Sequence, residues 1–474
     1  MKNESSQAAG ALHPMIGSGG RGYLWRLTHF RSRLTSVLLG AFDRSKPLCF
    51  LLVLTLGCFA RPSSATAAET LDSEIVLTPQ MGAASEDGEI RHWQERAGAS
   101  KAMAADFERL GWAFVAKARR TLDGAYYTLA EKTADVSDAR FGASAATRLL
   151  RGHVFHNEHR FREAEEIARG LVAERGAPED FALLSDALME QGTLAAAVEA
   201  LQRMVNLRPG VEASSRIAHL RWLKGDLPGA IAAMEDAARV ASPQDATTIA
   251  WVFSRLAGFY LQASRTEAAI DSAEAALRHA PDFPPALLAR GRALLALGKS
   301  KPAVAPLRRA AGLNPLPEYQ WWLADALRAA GHADEAVAVE RGLAARGAAS
   351  DPRTLAIFLA TRRANTADVA LAVRLAREEL ANRSDVHTHD ALAWALAAGG
   401  EPDAAEAESQ LAMAEQTADP RLYFHAGEIA LARGEREAAD RFFAQARPLA
   451  AALTPSERAA LARHPAPAAV AQVR

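Results

Sequence analysis

From about residue 101 to about residue 463, apolar residues recur three and four positions apart, in segments separated by short polar or glycine-containing breaks. That spacing gathers the apolar side chains on one face of a helix, so the stretch predicts helix after helix. Residues 284–315 show the unit most plainly. They read as two short helices with small Gly291 in the first, Gly298 at the turn, small Ala303 and Ala310 in the second, and Pro315 at the end. Antiparallel helices approach closely only where side chains are small, and proline stops a helix because it lacks the amide hydrogen. A lone pair of this kind leaves one apolar face uncovered and requires copies of itself.

The copies are present. The small residue of the first helix recurs as Gly111, Gly152, Ser185, Ala218, Ala257, Gly291, Ala324, Ala360, Ala393 and Gly427. The small residue that opens the second helix recurs as Ala164, Ala197, Ala230, Ala269, Ala303, Ala336, Ala372, Ala405 and Ala439, at spacings of 33, 33, 39, 34, 33, 36, 33 and 34. Turn glycines at 192, 225, 298, 331, 400 and 434 and prolines at 209, 243, 281 and 315 keep the same beat. The two long spacings predict longer junctions around residues 241–246 and 348–351, and the first unit has an extended turn over residues 119–125.

On these residues the chain resembles the tetratricopeptide-repeat (TPR) proteins, which share the 34-residue period, the paired helices, the small crossing residues and the closing proline. The second-helix aromatic of that family is replaced by Met234, Ala273 or Leu307 and is present at Phe443. Residues 201–204, 225–234 and 391–396 also resemble bacterial exported multi-TPR proteins, a group that implies architecture and no reaction. The resemblance implies an all-α fold, a right-handed superhelical solenoid of about ten TPR-type helix pairs after an N-terminal signal segment. The expected organisation is a basic leader and signal peptide over residues 1–67, a linker over 68–100 with a helix start near Trp93, the solenoid over 101–454, and a capping helix with a loose tail over 455–474. That terminal helix is expected to be capped by Thr454 or Ser456 and to turn a charged face to solvent.

Charge and cysteine usage narrow the function. The net charge is −1, but residues 1–67 hold eight Lys and Arg against two Asp and Glu, leaving a mildly acidic body of 47 against 54. A nucleic-acid surface normally concentrates basic charge, so no nucleic-acid partner is expected. Residues 48–60, LCFLLVLTLGCFA, form an uncharged run too short to span a bilayer, followed by an Ala-x-Ala site at 65–67; basic flank, apolar core and small-residue site together read as a secretory signal cleaved after Ala67 or Ala68. A retained anchor, a start at Met15, and lipidation of Cys58 are the alternatives, and membrane attachment is expected only through that segment. Cys49 and Cys58 are the only cysteines, so the body has no disulfide, no cysteine nucleophile and no thiolate metal ligand.

Candidate chemistry is sparse. His153, His156 and His159 recur every three residues, and the first two share a helix face able to hold a metal. A polar helix face with His159 in the turn position accounts for them better. There is no Gly-x-Ser-x-Gly elbow and no phosphate-binding loop, so no enzyme and no cofactor are expected. The concave face is the expected binding site, since first helices line it. Residues flanking the small-residue column point there: Asp186, His219, Trp222, Arg292, Trp321, Asp325, Arg328 and Trp394. Tryptophan and arginine often carry binding energy, so the expected partner is a protein or peptide. The alternatives are an envelope polysaccharide-assembly adaptor, whose tryptophans stack on sugars, and a metal-dependent enzyme built on His153 and His156.

Overall fold

The computed structural model describes residues 64–121, 123–242 and 244–465. The expected signal segment lies almost wholly outside them. Every regular element described is a helix, and among the described residues none is long and apolar enough to cross a membrane. The chain divides into two compact units, one over Tyr23–Leu150 and one whose main body is Arg151–Arg474.

The first unit contains α1 (Ser64–Leu77), α2 (Ser85–Gly98), α3 (Ala104–Thr121) and α4 (Ala125–Phe141). Residues 68–100 are therefore not a linker: they carry α1 and α2. Weak amphipathicity hid these helices, because polar side chains do part of their packing. Gln94 is buried and donates through Nε2 to the carbonyls of Val76 (3.0 Å) and Thr78 (2.6 Å). Asp87 is also buried and pairs with Lys117 of α3 at 2.7 Å. Ile90 and Ala97 of α2 and Phe107, Leu110 and Phe114 of α3 are all buried.

Helix α5 (Ala145–Asn157) carries the chain onward into α6 (Phe161–Glu174), α7 (Pro178–Glu190), α8 (Leu194–Leu207), α9 (Val211–Leu223), α10 (Leu227–Val240), α11 (Ala246–Gln262), α12 (Thr266–His279), α13 (Pro284–Ala296) and α14 (Ser300–Leu313). The order continues through α15 (Pro317–Ala329), α16 (Ala333–Ser350), α17 (Pro352–Arg362), α18 (Thr366–Asn382), α19 (Val386–Ala398), α20 (Pro402–Met413), α21 (Pro420–Ala432) and α22 (Arg436–Ala446) to a 3-10 turn over Arg447–Ala452 and α23 (Pro455–Leu461). From α3 to α22 these form ten TPR-type pairs, an all-α solenoid of helix pairs.

The small-residue columns are the crossing points. A Cβ added at Gly291 would lie 2.3 Å from Leu307 Cγ, and one at Gly427 2.5 Å from the Phe443 ring. In the third pair the column residue Ser185 donates its hydroxyl to the carbonyl of Ala197, the facing column residue, at 3.0 Å. The turn glycines all have positive φ, and His159 (φ 60) and Ser264 (φ 55) hold the same left-handed turn where glycine is missing. The two long spacings are only partly junction: α16 runs on to Ser350 and α11 has 17 residues, so extra sequence extends helices.

Candidate functional site

Within the unit Arg151–Arg474 the first helices of successive pairs curl until late ones meet early ones. Trp222 at the end of α9 donates through Nε1 to the Ala418 carbonyl (3.0 Å), Thr417 Oγ1 to that of Leu223 (2.6 Å), and Lys224 pairs with Glu415 (2.7 Å). Arg383, before α19, lies 3.3 Å from Glu190 of α7. Further on, the C-terminal segment crosses the inner face. Ser456 donates through its hydroxyl (2.5 Å) and amide (3.2 Å) to Asp325, and Arg458 donates to the Leu295 carbonyl (2.8 Å).

This closure corrects two expectations. The terminal helix is not a solvated end cap. Thr454 caps it and Glu457 completes a capping box, but Glu457 is buried and takes both of its Arg421 hydrogen bonds, at 2.7 and 3.1 Å, on the inner side. Nor do the eight named inner-face residues line an open groove. Asp186 is buried against Arg216 (2.8 Å). His219 is buried with Nδ1 3.3 Å from Arg255, and burial with that guanidinium beside it pushes its imidazole down to about 3. Trp394 donates to Thr361 Oγ1 (2.9 Å) and stacks on His425 at 4.1 Å. Asp325 is shared by Arg362 (2.8 Å), Arg328 (3.5 Å) and Ser456, while Arg328 itself stays half-buried beside Glu340. Trp222, stacked on His387, and Trp321, under Arg421, are buried too. Only Arg292 and Arg328 keep partial exposure, 18% and 37% of their side chains.

What remains on the inner face is a cavity of about 230 Å³. It brings together three of the eight, Trp222, Arg292 and Trp321, with five residues the columns missed: Arg255, Arg353, Arg383, His387 and Arg421. Of the missed arginines, Arg353, Arg383 and Arg421 sit near the starts of inner helices or just before them, six to ten positions ahead of the small-residue column and beyond the offsets a single crossing predicts. Arg255 instead lies within α11, two positions ahead of Ala257. A charged residue opening a helix on the inner side is the signal that was there to read.

The arginines fall into two groups. Arg383 is held by Glu190, Asp385 and Glu379, Arg353 by Asp385 (3.1 Å), and Arg421 by Glu457. Burial works against the charge of Arg383 and Arg421, but their carboxylates outweigh it and push both pKa values up. The same pairing holds Asp385 well below the usual carboxylate range despite its burial. Arg255 and Arg292 differ. Arg255 makes no ion pair among the described residues, although Glu318 acts on its charge; its neighbours are the His219 ring and the Phe259 face at 5.5 Å. Arg292 lies over Trp322 at 4.7 Å, reaches Glu318 only at 3.7 Å and the Ala452 carbonyl at 3.4 Å, and its Nε has no partner. Burial lowers the pKa of both.

Elsewhere, His156 meets Phe161 edge-on (5.3 Å), and His159 stacks on the same ring with Nδ1 3.5 Å from Glu379. Among the described residues no group of three or more His, Cys, Asp or Glu is placed to hold a metal ion.

No protein-family model and no curated protein matches the chain. Among solved structures it is similar to MamA, with 20% identity and a TM-score of 0.29 over 35% of this chain and 94% of that one. It is also similar to the APC/C hetero-tetramer Cut9–Hcn1, at 13% identity and 0.35 over 85% and 98%. The human IFIT1 dimer with PPP-AAAA matches at 11% identity and 0.44 over 80% and 99%. Likeness this distant bears on neither the site nor the partner.

Proposed function

We propose that the chain is an interaction scaffold without catalysis, exported from a bacterial cytoplasm, that engages a protein or peptide through the inner face of Arg151–Arg474. The observation that carries this reading is the inner cavity, where aromatic and guanidinium side chains converge from helices spread across more than 200 residues of sequence. Such convergence suits recognition: Arg and Trp combine large contact area with polar ends. A pocket of this size takes one side chain or one chain terminus of a partner, while the helix surfaces around its mouth supply the remaining contact. The polysaccharide reading has less support, because Trp222, Trp321 and Trp394, the rings that would stack on a sugar, are all buried.

Cross-linking and co-purification from the native host test the binding reading. An Arg255→Ala, Arg292→Ala double variant that keeps its helical circular dichroism is expected to lose the partner that the unaltered chain retains. An unchanged set of partners contradicts the inner-face assignment. Export rests on the basic flank, apolar core and Ala-x-Ala site of the sequence. Fractionation with N-terminal sequencing is expected to find a processed chain outside the cytoplasm; an intact cytoplasmic Met1 chain contradicts it.

A further inference from the structure

We propose that the inner cavity of Arg151–Arg474 is a binding site for a compact oxyanion, a carboxylate or phosphate group, held between Arg255 of α11 and Arg292 of α13. The inference deepens the inner-face reading and rests on it for its location, but not on the identity of any partner.

Two independent observations carry it. The first is the imbalance among the cavity's guanidiniums. Arg353, Arg383 and Arg421 each have a carboxylate within hydrogen-bonding distance (3.1, 3.0 and 2.7 Å), whereas Arg292 reaches Glu318 only at 3.7 Å and Arg255, on which the same Glu318 acts, makes no ion pair. A partly buried guanidinium without a counter-charge is costly, and neutral water satisfies its hydrogen bonds without offsetting the charge. An oxyanion does both, since the planar guanidinium fork matches carboxylate and phosphate oxygens. The neighbouring side chains prepare the two arginines for this. Trp322 and Phe259 lie against the guanidinium faces, leaving the N–H edges to be used. His219 carries no charge at neutral pH, so it orients Arg255 without neutralising it.

The second observation is a set of unmade hydrogen bonds. Buried polar atoms without a partner are few in folded proteins and call for a cause. Here four of them belong to residues that line this one cavity: Arg292 Nε, Trp321 Nε1, His387 Nε2 and Gln262 Oε1. The first two are obligate donors and the third donates in one tautomer, which is the chemistry an oxyanion's lone pairs answer. Of the carboxylates that also line the cavity, Glu379 is engaged with Arg383 and His159, Asp390 with His425, Asp419 with the amide of Arg421 and Asp351 with the amide of Thr354. Glu318, the acid that acts on both Arg255 and Arg292, approaches Arg292 only to 3.7 Å. A volume of about 230 Å³ admits succinate, phosphate or the last one or two residues of a chain.

Calorimetric titration of the full chain with succinate, inorganic phosphate and a short peptide ending in Asp-Glu tests this, against chloride at matched ionic strength. Saturable binding is expected with a dissociation constant below about 1 mM, weakened about tenfold or more by Arg255→Gln and by Arg292→Gln. Peptide binding much tighter than succinate identifies a chain terminus as the source of the anion; equal or weaker peptide binding identifies a free small oxyanion. Heats no different from chloride, or binding unchanged in whichever variant retains its fold, overturn the proposal. Either failure leaves a protein partner on the inner face detectable by co-purification, so the two readings fail separately.

Discussion

At the scale of single residues, the crossing glycines and one buried histidine make the sharpest claims. Gly291 faces Leu307 so closely that a Cβ would meet Leu307 Cγ at 2.3 Å. Alanine raises helix propensity by roughly 1 kcal/mol over glycine, yet here it overpacks a crossing. Gly291→Ala is therefore expected to destabilise the fold by about 1–3 kcal/mol, read from the shift of its urea midpoint. His219 makes the pH claim. Its neighbours with charge or a titratable group are Arg255, His387 and Asp385, and its folded pKa of about 3 compares with about 6.5 when unfolded. Between these values the unfolded chain binds the extra proton, so stability rises with pH up to about 6.5 and is lost as pH falls below it. From about pH 6.5 to pH 5 this single group removes about 2 kcal/mol. Denaturation at both values is expected to show that loss, and His219→Gln to flatten it. The remaining slope falls to His387, whose pKa burial also lowers.

At the scale of elements, the sequence yielded what repeats and missed what occurs once. The ten crossings were legible because each puts a small residue at the same offset, and the turn glycines because the left-handed backbone needs them. Helix α2 was not legible, since buried Asp87 and Gln94 break the apolar stripe that signals a helix, and α1 was missed with it. Helix α23 was found with its cap, but its environment was misjudged: Ser456, Glu457 and Arg458 look like a solvated face until Asp325, Arg421 and the Leu295 carbonyl receive them. Removing one member of a buried ion pair costs about 3–5 kcal/mol. Glu457→Ala, which also removes the capping box, is therefore expected to release the segment from Arg447 onward. Hydrogen exchange would show it as faster exchange over the C-terminal turn and over α13 and α15, with the far helix α7 unchanged. Unaltered exchange in α13 and α15 would mean that the segment does not cover them.

For the molecule as a whole, the contacts that matter most join residues more than 150 positions apart. Each repeat touches its neighbours, and small rotations add along the array; nothing local in the sequence records the sum. That is why the site was only partly legible. Offsets from the crossing column found Trp222, Arg292 and Trp321 and passed over Arg255 of the neighbouring α11, while His387 and Arg421 join Trp222 and Arg292 only once the unit of Arg151–Arg474 has curled shut. Adjacent inner helices cover Asp186, His219 and Trp394, and the curl brings distant partners onto Trp222, Trp321 and Asp325. Six of the eight residues first expected to face an open groove are therefore buried, and the two under-compensated arginines remain as the inner face's reactive feature.

The closure is the claim on which the cavity depends, and the absence of cysteine beyond Cys58 makes it directly measurable. Lys224 and Glu415 are 191 residues apart in sequence and form an ion pair at 2.7 Å. In a chain carrying Cys49→Ser and Cys58→Ser, cysteines placed at 224 and 415 are expected to be joined within one molecule by a bismaleimide about 8 Å long, a reach that only a few extended residues could otherwise bridge. Intramolecular cross-linking in high yield, identified by mass spectrometry of the linked peptides, is the predicted result. Free thiols at both positions under native conditions, in a chain with full helical content, would contradict the closed inner face and the site built on it.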